Sequence, residues 1–176
     1  MTAYATNAQL LERTNVLRLA QLAVPTAGLM PEVDLVRAAL LGQNTAGADA
    51  ATQAVLAEAV AVVGTALADG ADLMRGYAVP SADTWLAATP ATAVPPVLVR
   101  INCTLAMHYL LTQANAVGDA DSATYKATVR LLDQHAKGEV ALVPAAAAST
   151  EPSSDTASIT SGAARYGVVD YDGGDW

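Results

Sequence analysis

Three stretches between residues 72 and 143 decide the fold of this chain: DLMRGYAVP (residues 72–80), PPVLVRINCTLAMHYLL (residues 95–111) and YKATVRLLDQHAKGEVAL (residues 125–142). The first ends a helix, because Pro80 disfavours helical geometry in the residue before it. The second begins one, because the missing N–H of a proline costs nothing in the first helical turn. In the third, Lys137 and Gly138 supply a cation and a left-handed cap at a helix end. The fold class that this pattern predicts is all-α.

The helix that ends in the first stretch is a long one. Apolar residues fall three, four or seven positions apart through residues 50–77, which predicts one long helix with a wide apolar face. Gly64 and Gly70 lie inside it, and each costs about 1 kcal/mol relative to alanine in a helix. We therefore expect close packing against a neighbour, or a bend, at these glycines.

The remaining elements complete a small bundle. Thr6 or Asn7 is expected to cap a first helix near the N-terminus. Residues 23–50 contain several glycines and prolines and are predicted to form an irregular excursion, although residues 32–41 could form a short helix. Residues 139–143 alternate polar and apolar side chains, which favours a short strand at the edge of an assembly. The sequence thus predicts about four main helices followed by a short C-terminal strand.

A change of composition divides the chain into a helical domain, residues 1–144, and an extended acidic C-terminal arm, residues 145–176. The arm is small, polar and poor in apolar bulk until its end, so it cannot bury enough surface to order itself. It has one arginine and five carboxylates, which make half of the chain's net charge of −8. We expect a neighbouring surface or sheet edge to hold it. Its expected anchors are Tyr166, Val168, Val169, Tyr171 and Trp176.

The overall composition excludes several classes of protein. The net charge of −8 opposes attraction to phosphate backbones and to anionic membrane surfaces. The helix predicted for residues 95–113 has one arginine, Arg100, and no lysine, unlike a DNA-recognition helix. A single cysteine, Cys103, excludes an internal disulfide framework. Without a membrane-spanning apolar run or a signal peptide, we expect a soluble protein in a reducing compartment.

The residue types that carry catalysis are few and poorly placed for it. His108 lies near the apolar face of its helix and His135 near a helix C-terminus, so both are expected to be structural. Carboxylate pairs flank helix ends and turns, where they are solvated. The motifs HExxH, CxxC and GxSxG and a glycine-rich phosphate loop do not occur. We therefore expect no enzyme activity, no catalytic residue, no cofactor and no metal ion.

The best candidates for a contact surface lie at the end of the long helix and just beyond it. Trp85 either covers the side of its own core or anchors a partner, because tryptophan is enriched at interface hot spots. Arg75 and Tyr77 are the other candidates in the helical domain, in addition to the five arm residues. Cys103 is expected to be a small apolar residue within its helix.

The order and spacing of several motifs match a known family. They are Tyr4-Ala5-Thr6, DLMRGYAVP at residues 72–80, VPPVL at residues 94–98, Cys103, Tyr109, and Tyr125-Lys126 with Leu132 before KGEV at residues 137–140. In this order they resemble the small head-completion proteins of Mu-like and related long-tailed phages, also called head–tail connector or adaptor proteins. The resemblance covers residues 4–22 and 51–143. Residues 23–50 and the arm depart from it.

The resemblance implies a compact helical bundle that assembles as a ring, usually twelvefold, at the head–tail junction of the virion. Such a subunit is made in the host cytoplasm and has no catalytic task. Its partners would be its own copies, the portal protein and a tail or neck protein, while packaged DNA passes through the channel without specific binding and no membrane is involved. Two rivals remain: a tail-side neck protein such as a tail terminator, which mainly β content would favour, and a small helical regulator that binds a host protein.

Overall fold

The structure, a computed structural model, describes residues 2–24, 30–87 and 93–142 of the 176. This part of the chain contains seven α-helices and no strand. They are α1 (Asn7–Arg13), α2 (Val16–Ala23), α3 (Val33–Leu40), α4 (Ala50–Gly76), α5 (Asp83–Leu86), α6 (Pro96–Gln113) and α7 (Asp119–Ala136). The predicted all-α class is confirmed for the described residues, which hold more helices than the four main ones predicted.

The predicted first helix is two helices, because the chain is capped twice. Thr6 begins α1: its hydroxyl accepts a hydrogen bond from the Gln9 N–H at 3.2 Å, and the Gln9 side chain accepts one from the Thr6 N–H at 2.9 Å. Asn15 then begins α2 by accepting a hydrogen bond from the Leu17 N–H at 2.8 Å. An asparagine that bonds the backbone ahead of it competes with continuation of the preceding helix. The chain therefore turns at Thr14 and Asn15.

Residues 23–50, predicted to be an irregular excursion, contribute α3 to the bundle. This is the short helix that the sequence allowed within residues 32–41. Val36 and Leu40 are buried in one core cluster with residues of α1, α2, α4 and α6. Residues 25–29 lie outside the described part of the chain. The described portion of the excursion is thus a part of the core.

α4 and α6 lie against each other at the centre of the bundle, with α1, α2 and α3 against α4 and α7 against α6. α4 spans the predicted residues and buries one face from Leu56 to Met74. α6 is buried over most of its length, and Leu98, Leu105 and Leu110 are fully inaccessible to solvent. Because burying one leucine side chain stabilises a fold by about 1.5–3 kcal/mol, this pair of helices is the main source of stability.

α4 approaches α6 closely at Gly70. A Cβ atom added there would lie 2.8 Å from Asn102 Nδ2, so only glycine leaves room for that side chain. Asn102 is fully buried, donates from Nδ2 to the Leu67 carbonyl at 2.9 Å, and accepts a hydrogen bond on Oδ1 from the Ala5 N–H at 3.0 Å. The predicted close packing is confirmed at Gly70. At Gly64 an added Cβ would meet no atom within 4 Å, so close packing does not explain that glycine.

α4 comes nearest to the composition of a membrane-spanning helix within the described residues, although charged residues such as Glu58 and Asp69 interrupt its apolar run. By length and composition alone it could cross a membrane, since its most apolar window has a mean hydropathy of 1.6. Only α4 meets that test within the described residues. Its inner face packs against α2, α3 and α6, which is the arrangement of a core helix. Buried positions make up 39% of that window, so much of this alanine-rich helix faces outward.

α7 ends at Lys137 and Gly138 as predicted, and Gly138 adopts a φ of 75° that glycine takes without strain. The next residues, 139–142, form bends rather than strand. There His135 Nδ1 lies 3.0 Å from the Val140 carbonyl oxygen and 3.5 Å from the Leu142 nitrogen. One ring nitrogen cannot donate and accept at once, so we assign the shorter contact, with Nδ1–H donating to Val140. The last residue of the predicted strand, residue 143, lies outside the described part.

Candidate functional site

The three interface candidates of the helical domain come together at the C-terminal end of α4. Arg75 lies in the last turn of α4, Tyr77 caps it, and Trp85 lies on α5. All three are partly buried, and the two aromatic side chains pack against the core cluster under α4, α6 and α7. Arg75 also forms an ion pair with Asp72. We call this surface, made by Arg75, Tyr77 and Trp85, the α4 exit.

Tyr4 packs beneath the α4 exit and contacts Trp85. It is buried, its ring meets that of Trp85 edge-on with centroids 6.5 Å apart, and its hydroxyl donates to the Val79 carbonyl at 3.3 Å. Burial raises the pKa of Tyr4, and the Arg75 guanidinium partly opposes that shift. Trp85 therefore covers the side of its own core, which is one of the two roles predicted for it. A partner contact through its accessible part stays a prediction.

The five arm candidates, Tyr166, Val168, Val169, Tyr171 and Trp176, lie outside the described residues. Both histidines lie within them. His135 contacts the turn after α7, and His108 stacks on Tyr125 of α7 with ring centroids 3.8 Å apart and an interplanar angle of 14°. These contacts join elements of the fold, as expected of structural histidines.

A second surface feature has no counterpart among the sequence predictions. It is a cleft of about 500 Å³ between the α1–α2 junction, α6 and the first turns of α7. We call it the basic cleft, and it is lined by Arg13, Thr14, Asn15, Arg18, Arg100, Cys103, Thr104, Met107, His108, Leu111, Asp121 and Thr124. Three of these residues are arginines and one is a carboxylate, in a chain with nine basic side chains and a net charge of −8. The cleft is therefore a positively charged concavity on an acidic protein.

The three arginines differ in what they already bind. Arg18 Nη2 donates to Asp121 Oδ2 at 2.9 Å, an ion pair that joins α2 to the first turn of α7. Arg13 Nη1 donates to the Gln9 carbonyl at 2.9 Å and lies 3.7 Å from Glu12 Oε2, in an ion pair. Arg100 is exposed on α6, and its guanidinium makes no hydrogen bond or ion pair with the described residues. Since each guanidinium carries five N–H donors, the cleft retains donors for a further anion.

His108 adds a buried polar atom to the lining of the cleft. Its Nδ1 is inaccessible and has no hydrogen-bond partner within the described part of the chain. A buried polar atom left without a partner costs about 1–3 kcal/mol. The ring stacks on Tyr125, so this wall of the cleft joins α6 to α7.

Cys103 is the only side chain of the cleft with the potential to act as a strong nucleophile, and its setting opposes that role. Burial raises the pKa of the Cys103 thiol to about 11, and the charge of Arg13 only partly opposes the shift. Desolvation outweighs the positive neighbourhood because it disfavours the thiolate directly. Within the described residues, no group of three or more His, Cys, Asp and Glu side chains could hold a metal ion. The arrangement is suited to reversible binding of an anion.

Comparison with known families agrees with the motifs. The family model described as Bacteriophage Mu, Gp36 matches residues 4–161 of this chain. The chain belongs to the bacteriophage Mu Gp36 family. It is therefore a Mu-like phage protein, and membership of the Gp36 family supports a structural or morphogenesis role. No curated protein matches the chain.

The Gp36 match also corrects the extent of the resemblance. The motifs place it in residues 4–22 and 51–143, whereas the bounds of the match, residues 4 and 161, also enclose residues 23–50 and the first part of the arm. α3 gives a physical reason for the first difference, because it supplies buried residues to the common core. The Gp36 family pattern thus includes segments that composition alone sets apart.

The basic cleft joins residues that sequence reasoning leaves apart. Arg13 and Arg18 are five positions apart, which on one continuous helix would separate them by roughly 140° around the axis. The break between α1 and α2 removes that constraint, and both line one cleft with Arg100 of α6. The signal that could have found the break is Thr14-Asn15, a pair of residues that favour helix caps within an apolar pattern.

Proposed function

We propose that this protein is a subunit of the phage head–tail connector, a ring of identical copies that joins the portal to the tail. The observation that carries the proposal is the Gp36 family match, because it spans every motif on which the resemblance to head-completion proteins rests. In this role the protein is a structural component of the virion neck. It performs no reaction and needs no cofactor.

The described fold supports a subunit that packs against copies of itself. The outward part of α4 is rich in alanine, which permits close approach of a neighbouring helix. At the α4 exit, Leu86 is 52% exposed beside Trp85, so apolar and aromatic surface lies next to Arg75. Aromatic residues and arginine are the types enriched at interface hot spots. The acidic balance of the chain would let DNA pass a channel wall without adhering to it.

Quantitative mass spectrometry of purified phage particles tests the proposal. Isotope-labelled reference peptides from this chain and from the portal protein would give the number of copies of each in one particle. We expect equal numbers, because a connector ring is matched to the portal above it. A major capsid protein, measured in the same digest, controls for incomplete recovery.

Absence of the chain from particles would overturn the proposal and favour a small helical regulator that binds a host protein. A copy number that follows a tail protein rather than the portal would favour a tail-side neck protein. The all-α character of the described residues supports the connector over a tail terminator, for which mainly β content is expected.

A further inference from the structure

The basic cleft is concave and already holds a carboxylate. Asp121 accepts a hydrogen bond from Arg18 within it at 2.9 Å. Arg100, on the opposite element, makes no ion pair with the described residues and is exposed. Paired guanidinium and carboxylate groups form short, charge-assisted hydrogen bonds with a defined geometry. The cleft thus has both the space and the donors for a second carboxylate.

The lining of the cleft also includes apolar side chains. Met107 and Leu111 lie one turn apart on α6 and both line the cleft. Met107 is partly exposed whereas Leu111 is only 2% exposed, so Met107 supplies the apolar contact surface. A free phosphate or a nucleic-acid backbone would use the arginines alone and would leave the apolar lining without a contact. A peptide that alternates acidic with apolar side chains would use both kinds of lining.

The C-terminal sequence of this chain contains such a peptide. Residues 165–176 read RYGVVDYDGGDW, in which three aspartates alternate with valine, tyrosine and tryptophan. We propose that the basic cleft of one copy binds this acidic segment of a second copy. Arg100 and Arg18 hold its carboxylates, and Met107 contacts its apolar side chains. This contact would join neighbouring subunits of the ring, so the proposal rests on the proposed connector function.

A charge-swap experiment on the full chain tests this contact. Arg100→Glu should repel the acidic segment, and Asp172→Lys should remove one of its carboxylates. We expect each variant alone to self-associate about tenfold more weakly than the original chain, because a charge-assisted contact is lost. An equimolar mixture should regain association, because the unchanged cleft of the Asp172→Lys chain can bind the unchanged segment of the Arg100→Glu chain. The changed cleft and the changed segment also carry opposite charges. Sedimentation velocity gives the association constants.

Arg130→Glu is the matched control, because Arg130 is an exposed arginine of α7 that does not line the cleft. It should associate like the original chain, and circular dichroism should show that every variant is folded. Single variants that associate normally, or a mixture that stays dissociated, would overturn the proposal. If the segment leaves the cleft in a variant while the molecular mass stays the same, then the contact lies within one copy and the proposal is overturned.

A second measurement decides the case in which the chain is monomeric in isolation. A fluorescent peptide of residues 165–176 should bind the chain saturably, with about tenfold loss for Arg100→Glu and none for Arg130→Glu. Failure of the peptide to bind, or displacement by a DNA oligonucleotide as effective as by unlabelled peptide, would overturn the proposal. The connector function is judged separately by copy number in particles, so either one can fail while the other stands.

Discussion

Asn102 is the one buried polar residue among the described residues, and changing it should be costly. Its amide joins the N-terminal segment to α4 across α6, through hydrogen bonds to Ala5 and Leu67. We expect Asn102→Ala to lower the free energy of unfolding by about 2–4 kcal/mol, because it leaves the buried Ala5 N–H without a partner and opens a cavity. Urea denaturation followed by circular dichroism measures the change. A loss below about 1 kcal/mol would mean that water or a shifted backbone replaces the amide.

Gly70 and Asn102 should behave as a coupled pair. Gly70→Ala alone is expected to destabilise the protein despite the better helix propensity of alanine, because the new Cβ would lie 2.8 Å from Asn102 Nδ2. In the Asn102→Ala background that contact is absent, so the same change should cost at least about 1 kcal/mol less. Gly64→Ala is the control, since its Cβ would meet nothing within 4 Å and should be neutral or stabilising. Additive effects of the two changes would contradict this packing.

The Cys103 thiol should react slowly with thiol reagents in the folded protein. Its pKa is raised to about 11 from an ordinary value of 9.0, so near pH 8 the thiolate fraction falls roughly a hundredfold. We expect the reaction with an aromatic disulfide reagent to be about tenfold slower, or slower still, than in the protein unfolded in urea, because the greater nucleophilicity of a high-pKa thiolate offsets part of this loss. Rate measurements by absorbance, with Cys103→Ala as the blank, test this. Equal rates in the folded and unfolded protein would show that the thiol is open and ionised.

At the scale of the element, the carboxylate of Asp49 caps the N-terminus of α4. Asp49 accepts hydrogen bonds from the Thr52 N–H at 2.8 Å and from the Thr52 hydroxyl at 3.1 Å, and these bonds lower the pKa of Asp49 below its ordinary value of 3.8. A lowered pKa in the fold means stability that is present above the unfolded pKa and is lost as the pH falls through the folded pKa. Asp49→Asn keeps a cap but does not titrate.

The stability difference between the original chain and Asp49→Asn should therefore shrink as the pH falls from 6 towards 3. Asp49→Ala, which has no cap, should be the least stable variant at the upper end of this range. Urea midpoints measured at several pH values test both statements. A difference that stays constant with pH would show that Asp49 does not titrate differently in the folded and unfolded states.

The helices show which parts of the fold can be predicted from the spacing of apolar residues. Periodicity predicted α4 almost to the residue, because its apolar positions recur every turn. The start of α6 was predicted from its prolines instead. The same pattern failed between α1 and α2, where Thr14 and Asn15 interrupt it without removing the apolar spacing. It also predicted α3 only weakly, because a helix of eight residues has room for little more than two turns of a periodic pattern. Packing against α4 gives α3 its place in the core.

At the scale of the whole molecule, the helices up to α7 bury a core of their own. Two clusters of buried apolar residues join α1, α2, α3, α4, α6 and α7 within the described part of the chain. Deleting residues 145–176 should therefore leave the bundle folded, with the helical circular dichroism signal per molecule unchanged. Ring formation or joining to the tail should weaken, as measured by sedimentation and by the yield of complete particles. Loss of the helical signal in the truncated chain would show that the arm is needed for folding.

The sequence by itself determined the all-α class, the long central helix, the closing turn at Gly138 and the Mu Gp36 family motifs. These features depend on residues a few positions apart, through helical periodicity and capping, so they can be predicted from the sequence. The tertiary structure alone decided the basic cleft and the fit of Asn102 against Gly70. Arg18 and Asp121 meet across 103 positions of sequence. Contacts at such a separation depend on how the intervening helices pack, which no local pattern records.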